Sequence, residues 1–398
     1  MAGQVTDAAH RTSLLRARDG RGQRVTSMEL FFDLVYVFAV TQLSHLLLEH
    51  LSLRGAFQTL LLLLAVWWAW IYTTWITNWF DPDRRAVRLM LLGVMLASLF
   101  MSATLPAAFG EHGLSFAVAY VVMQVGRSLF AVAALGDDPS LRRNFQRILT
   151  WSAVSGLLWL AGGAAAGAAR EALWLAAVAV DYAAPVVGFY TPGLGRSRTT
   201  DWTITGGHLA ERCQLFLIIA LGESIVVTGT TFGGLPFAAD TVAAFVVAFL
   251  GSVVLWWLYF DRGAEDSSEV IARAADPGRL GRSAYTYFHL PMVAGIIVAA
   301  VGDELTIAHP GGVTSPATVA VVLGGPALFL AGHALFKWAV FARISVPRLV
   351  AIVVLAALVP LSQLIPPLAL AAAATFVVAL VAVWDTRTNR SLARSSSA

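Results

Sequence analysis

Residues 56–80 read A-F-Q-T-L-L-L-L-L-A-V-W-W-A-W-I-Y-T-T-W-I-T-N-W-F, without one charged side chain. A helix needs about 20 mostly apolar residues to cross the hydrocarbon layer of a bilayer. This run is long enough, and Arg54 closes one end while Asp81, Arg84 and Arg85 close the other. Working outward, eleven more stretches read the same way: 29–48, 87–109, 114–135, 145–168, 172–190, 209–230, 240–261, 283–302, 316–336, 347–365 and 368–384. The eleventh and twelfth run close together through Pro366 and Pro367.

Composition agrees. Hydrophobic residues fill 58% of 398 positions and charged residues only 13%, against about 25% charged in a soluble domain. Too few charges remain to coat a water-facing surface, so lipid is the main solvent. A single cysteine, Cys213, excludes an intramolecular disulfide and a Cys-based zinc cluster. Residues 1–28 are polar and Arg-rich, and the first apolar run is too long for the core of a cleavable signal peptide.

Arginine placement gives an independent check, because cytoplasmic loops of membrane proteins are enriched in Lys and Arg. With a cytoplasmic N-terminus, 23 of the 27 basic residues fall on inside segments and only Arg54 and Arg170 on outside loops. Arg127 and Arg212 fall inside helices. The expected organisation is thus a cytoplasmic polar segment 1–28, transmembrane helices 1–6 over 29–190, a cytoplasmic linker 191–208, helices 7–12 over 209–385, and a disordered cytoplasmic tail 386–398. Gly163 and Gly167 offer a small-xxx-small spacing for close helix packing. A division near residue 200 also admits two parallel six-helix repeats. The second and eighth stretches both carry Trp-Trp (Trp67-Trp68, Trp256-Trp257) and end in Phe-Asp, and Glu29 and Glu211 stand near the starts of the first and seventh.

An ionisable group at the centre of a bilayer costs about 2.5–3.5 kcal/mol on insertion scales, so it faces a partner or a watered cavity. The short list here is Glu29, Asp33, Arg127, Asp181, Glu211, Arg212 and Glu223. At about 100° per residue, Glu29, Asp33, Tyr36 and Ser44 share one face of the first stretch, with Thr41 and His45 beside it. That stripe must look inward. Glu29 serves either as a helix N-terminal charge or as part of a site, and Asp33, a turn deeper, is the stronger site candidate. On the seventh stretch, His208, Arg212 and Glu223 share a face. Arg212 and Glu223 are about 16 Å apart along the helix, so each needs a partner elsewhere. Arg127 and Asp181 lie at similar depth on two stretches that run the same way. They are expected to form an ion pair, with Pro185 and Gly188 bending the helix below Asp181. His289, before Pro291, is either a hydrogen-bonded packing residue or a proton handler. The tryptophans of the second stretch are too many for an interfacial belt alone. Some of them line helix contacts or a cavity.

Four blocks carry a resemblance: E-L-F-F-D-L-V-Y-V-F-A-V-T-Q-L (Glu29 to Leu43), T-W-I-T-N-W-F-D (Thr74 to Asp81), E-R-C-Q-L-F-L-I-I-A-L-G-E-S-I (Glu211 to Ile225) and Y-F-H-L-P-M-V-A-G-I-I-V-A-A-V-G-D-E (Tyr287 to Glu304). The sequence resembles the bacterial low temperature requirement protein A (LtrA) family, named for a cold-growth phenotype. The resemblance implies the membrane architecture and singles out the same acids, but supplies no substrate. Phe31-Phe32-Asp33 followed by V-Y-V-F-A-V-T also resembles the pore-lining first helix of potassium channels built on six-helix repeats, which have Phe-Ser-Asp there.

The expectation is an all-α polytopic protein of about twelve transmembrane helices in a bacterial plasma membrane, with both termini cytoplasmic. It is transporter-like, moving a small solute or ion with proton coupling, and it is not an enzyme. No cofactor, metal or nucleic-acid partner is indicated, and the lipid bilayer is the evident partner. Binding or proton-coupling candidates are Glu29, Asp33, Arg127, Asp181, Glu211, Arg212, Glu223 and His289. The alternatives are a cation channel lined by the first and seventh stretches, and a non-transporting membrane stress factor or intramembrane enzyme.

Overall fold

The computed structural model describes residues 13–17, 23–136, 138–261 and 263–395, with side chains to 387. Of the arginines expected on the inside, Arg11, Arg18, Arg21 and Arg262 lie outside the described residues. Every apolar stretch has become a helix: α1 Ser27–Glu49, α2 Leu53–Trp79, α3 Arg85–Thr104, α4 Gly113–Ala134, α5 Pro139–Ala164, α6 Gly167–Val186, α7 Gly206–Gly233 and α8 Ala239–Phe260. After the short α9 Gly263–Ala272 and a π-helical turn, Gly281–Tyr287, come α10 His289–Ala308, α11 Pro316–Phe341, α12 Val346–Ala357 and α13 Pro367–Ser395. Among the described residues there is no strand, only the isolated bridges Leu15–Phe80 and Thr191–Gly195.

Nine helices among the described residues are long and apolar enough to cross a membrane. The count of twelve is therefore not reached on that criterion. The other three expected spans are α5, which opens on Arg142, Arg143 and Arg147, α6, which carries Arg170, Glu171 and Asp181, and the twelve-residue α12. Twelve residues reach only about 18 Å. The stretch 347–365 stops short because Pro360 lacks the N–H that would continue the ladder and disfavours helical backbone at Val359.

The chain forms two compact units. The first comprises Met1–Gln42, Gln58–Arg212 and Ala272–Gly281; the second comprises Leu43–Phe57, Cys213–Ile271 and Arg282–Ala398. In the first unit α5 packs between α4 and α6. A Cβ on Gly163 would sit 3.0 Å from the Gly113 carbonyl oxygen and 2.9 Å from the Ala117 Cβ, so α4 and α5 touch through backbone there. Gly167 does something else: at φ +57° with open space around it, it turns the chain into α6. The packing stripe pairs Gly163 with Gly156, which abuts Val121, rather than with Gly167. Pro185 does not bend α6 either. It lies in the last turn, and Gly188 at φ +65° follows the helix end.

Arg170, one of the two arginines expected on outside loops, is buried and donates to the carbonyls of Ala108 (2.8 Å), Gly110 (2.6 Å) and Ala165 (2.7 Å). It closes the C-terminus of α5, where unsatisfied carbonyls favour a cation. Its exception to the charge rule is thus a capping role.

In the second unit α10 and α11 approach most closely. Cβ atoms on Gly295 and Gly325 would lie 2.5 Å from the backbone nitrogens of Phe329 and Ala299 respectively. Without a hydrophobic force between helices in lipid, such backbone contact is what holds a pair together. At its C-terminal end, Arg348 of α12 bonds Asp385 at 2.6 Å, and Thr386 donates to Asp261 at 2.9 Å. These contacts anchor α13, which runs to Ser395. The expected disordered tail from 386 is therefore helical over 386–395, and residues 396–398 lie outside the described set.

Candidate functional site

On α1 the inward stripe is real. Glu29, Asp33 and Tyr36 are buried, while Leu30, Phe31, Leu34 and Phe38 on the other face are exposed, as a lipid-facing surface requires. Burial removes Glu29 and Asp33 from water, so each must find donors or cations. The chain supplies them from three other segments of the first unit.

Residues 13–17 run back against the end of α2: Arg16 N donates to the Trp79 carbonyl at 2.8 Å and Asp81 N to the Leu14 carbonyl at 2.9 Å. This delivers the Arg16 guanidinium to Glu29, whose Oε2 it meets at 2.8 Å. Glu29 Oε2 also accepts from Thr26 N at 2.9 Å, so Glu29 does act at its helix N-terminus as well. From α7, His208 Nε2 and Arg212 Nη1 reach Glu29 Oε1 at 2.9 and 3.1 Å. Arg212 then bridges the two acids, its Nη2 lying 2.6 Å from Asp33 Oδ1. From α2, Trp70 donates to the same Asp33 oxygen at 2.8 Å, and Thr77 Oγ1 accepts from Arg212 at 3.2 Å. The Phe32 and Trp70 rings lie 5.7 and 5.9 Å from the guanidinium carbon, adding cation–π contact.

The protonation pattern follows from Asn78. Its Oδ1 accepts from Thr205 N at 2.7 Å and its Nδ2 donates to the Thr205 carbonyl at 3.0 Å, which fixes the amide. Nδ2 therefore also donates to His208 Nδ1, at 3.2 Å. That places the imidazole proton on Nε2, directed at Glu29. With His208 neutral, two acids face two arginines and the cluster carries no net charge. The balance leaves two atoms of the cluster over. Asp33 Oδ2 is buried and has no hydrogen-bond partner among the described residues, and neither has Arg212 Nε.

The model of the family described as bacterial low temperature requirement A protein (LtrA) matches residues 24–383. The chain belongs to the LtrA family. It is also 37% identical over 392 residues to a protein of Rhizobium meliloti (strain 1021) described as uncharacterized protein RA0937, covering 98% of this chain and 96% of that one. No solved structure matches.

In this LtrA chain the other expected site residues lie apart from the cluster. Arg127 and Asp181 are both buried, but no ion pair joins them among the described residues. Arg127 donates to Gln124 Oε1, to Thr73 Oγ1 at 2.7 Å and to the Ala69 carbonyl at 2.9 Å. Asp181 Oδ2 accepts from Tyr120 at 2.9 Å and from Trp159 at 3.1 Å. Gln124 Nε2 donates to the Tyr120 oxygen at 3.0 Å and closes the gap. The two charges are thus linked in a line, Arg127–Gln124–Tyr120–Asp181. The expected direct pair fails because two α4 side chains, four residues apart on one face, stand between them.

Glu211, next to Arg212 on α7, accepts from Val25 N at 3.3 Å. In the second unit, Glu223 is buried. His289 is buried and bonded at both nitrogens, Nδ1 to the Ala284 carbonyl of the π-helical turn (2.9 Å) and Nε2 to the Tyr259 hydroxyl (2.7 Å). Nδ1 donates to that carbonyl, and the bond between Nε2 and the Tyr259 hydroxyl can run either way, since a hydroxyl both donates and accepts. The Trp-Trp pairs proposed as repeat marks sit differently: Trp67 and Trp68 are buried, Trp256 and Trp257 exposed.

The sequence reading singles out neither Arg16 nor Asn78. Arg16 lies in a polar lead-in with no local sign that it returns to α2. Asn78 is one uncharged polar residue in an aromatic run, and nothing in the run marks it; Trp70 is one of the tryptophans expected to line helix contacts or a cavity, and it does so against Asp33.

Proposed function

We propose that the protein is a transporter-like protein of the bacterial plasma membrane that moves a small solute or ion and couples the movement to protons. The observation carrying this reading is Asp33: a buried carboxylate with one oxygen held by Arg212 and Trp70 and the other unbonded among the described residues. An acid kept at membrane depth without full satisfaction marks an ion or proton path more often than a brace. Helices α1, α2 and α7 hold it rigidly, so a proton on Oδ2 would loosen the Arg212 contact and be felt at Glu29 and His208. Glu223, Asp181 and His289 are further titrating candidates. A cation channel is the weaker reading, because Arg212 sets a fixed positive charge beside both acids of the stripe. An enzymatic role is the weakest reading, because no group of His, Cys, Asp and Glu side chains among the described residues is placed to hold a metal. The test is flux in proteoliposomes with and without an imposed pH gradient. Uptake of a small solute or ion that the gradient accelerates, beyond protein-free vesicles, is expected. Equal fluxes in both kinds of vesicle across the panel would reject the reading.

We further infer twelve spans and two cytoplasmic termini, with α5, α6 and α12 seated in the bilayer beside the nine clear spans. The support is the 23-to-2 asymmetry of basic residues between the two sides. Nine spans would put the termini on opposite sides; twelve put them on the same side. Reporters fused before Met1 and after Ala398 are expected to be active only in the cytoplasm. An extracytoplasmic C-terminal reporter beside a cytoplasmic N-terminal one contradicts the even count.

A further inference from the structure

A small pocket of about 30 Å³ lies inside the second unit, where α7, α8, α10, α11 and α13 converge. It has room for one or two waters or a bare ion. Four of its fourteen lining residues carry side-chain oxygens. Asp303 of α10 supplies a carboxylate, Ser224 of α7 and Ser252 of α8 supply hydroxyls, and so does Thr375 of α13. The Ser224 and Ser252 hydroxyl oxygens are 3.1 Å apart, and Asp303 lines the same pocket. Thr375 Oγ1 lies 3.4 Å from where a Cβ on Gly251 would be, so that glycine leaves the hydroxyl room against α8. Pro326, inside α11, also lines the pocket. A proline cannot donate to the carbonyl four residues earlier, and that residue is Val322, a further lining residue. One backbone carbonyl is thereby deprived of its usual helical donor beside the carboxylate.

We propose that this pocket binds a small monovalent cation, of the class of Na+. Hard cations take carboxylate, hydroxyl and carbonyl oxygens, and interrupted helices with freed carbonyls are where membrane proteins hold Na+. The charge count selects the valence. One carboxylate lines the pocket, and it balances one positive charge; a divalent ion would leave a net charge in a low-dielectric place. The inference does not rest on transport, since binding at equilibrium tests it.

The experiment is ²²Na+ binding to the purified full-length protein in detergent, with thermal unfolding recorded in NaCl, KCl and N-methyl-D-glucamine chloride at several pH values. Wild type should bind Na+ saturably, and NaCl should raise its unfolding temperature by several degrees over the glucamine salt. Asp303→Asn should lose both effects. Should that variant not fold, Ser252→Ala with Thr375→Val should weaken Na+ binding severalfold while unfolding at the wild-type temperature without Na+. Absence of saturable Na+ binding in wild type overturns the proposal. So does undiminished binding in a folded Asp303→Asn variant or in the double variant. A stability that follows pH alone and ignores Na+ would make Asp303 a proton site and overturns it equally.

Discussion

Replacing Arg212 with leucine should destabilise the protein by about 3–5 kcal/mol, the usual cost of removing one partner from a buried charge pair. The size follows from what Arg212 holds. It bridges Glu29 at 3.1 Å and Asp33 at 2.6 Å, and all three side chains are buried. After the substitution Glu29 keeps Arg16 and Thr26, but Asp33 keeps only Trp70. Arg212→Lys should fall between, because an ammonium is a point charge and cannot fork across two carboxylates. Arg212→Leu combined with Asp33→Asn should recover part of the loss, since the acid left stranded is then neutral. Thermal unfolding in detergent, followed by the fraction that stays monodisperse, reads the order. An Arg212→Leu protein as stable as wild type would mean that solvent, not Arg212, satisfies the acids.

The second large effect is expected along Arg127–Gln124–Tyr120–Asp181. Arg127→Leu and Asp181→Leu should each cost about 3 kcal/mol, because each strands a charge or its donors in a buried place. The double variant should be less damaged than the sum of the two. Members of one hydrogen-bond network couple by roughly 0.5–3 kcal/mol. Since the link runs through a phenol and an amide, Tyr120→Phe should remove most of that coupling. A coupling that persists unchanged in the Tyr120→Phe background would mean that the two charges interact directly through space, as the sequence had suggested.

How far the sequence reached can be judged residue by residue. Helix positions were legible, because a run of 20 apolar residues has few other uses. Where such a run breaks was less so: α12 stops at Ala357 although the apolar character continues, and only Pro360 announces it. The inward stripe on α1 was legible because helical periodicity fixes which residues share a face. Its partners were not, because periodicity says nothing about which helix lies opposite. Asp33 and Arg212 were both singled out, yet their pairing across 179 positions could not be read from either helix alone. Arg127 and Asp181 show the reverse error. Matched depth suggested contact, while the intervening Tyr120 and Gln124 carried no sign of their role. Membership of the LtrA family agrees with a multi-pass membrane protein and leaves the site to physical argument.

The central claim is that the half-satisfied Asp33 carboxylate handles the proton that drives the protein. It is tested most directly by pH-gradient-dependent flux in proteoliposomes carrying wild type, Asp33→Asn or Asp33→Glu at matched, correctly folded levels. Asp33→Asn keeps the shape and can still accept from Trp70 through its amide oxygen, so the protein should fold. Its flux should be independent of the pH gradient and at least tenfold below wild type, with Asp33→Glu in between. Gradient-driven flux at the wild-type rate in folded Asp33→Asn would show that the carboxylate is a brace for Arg212 and nothing more.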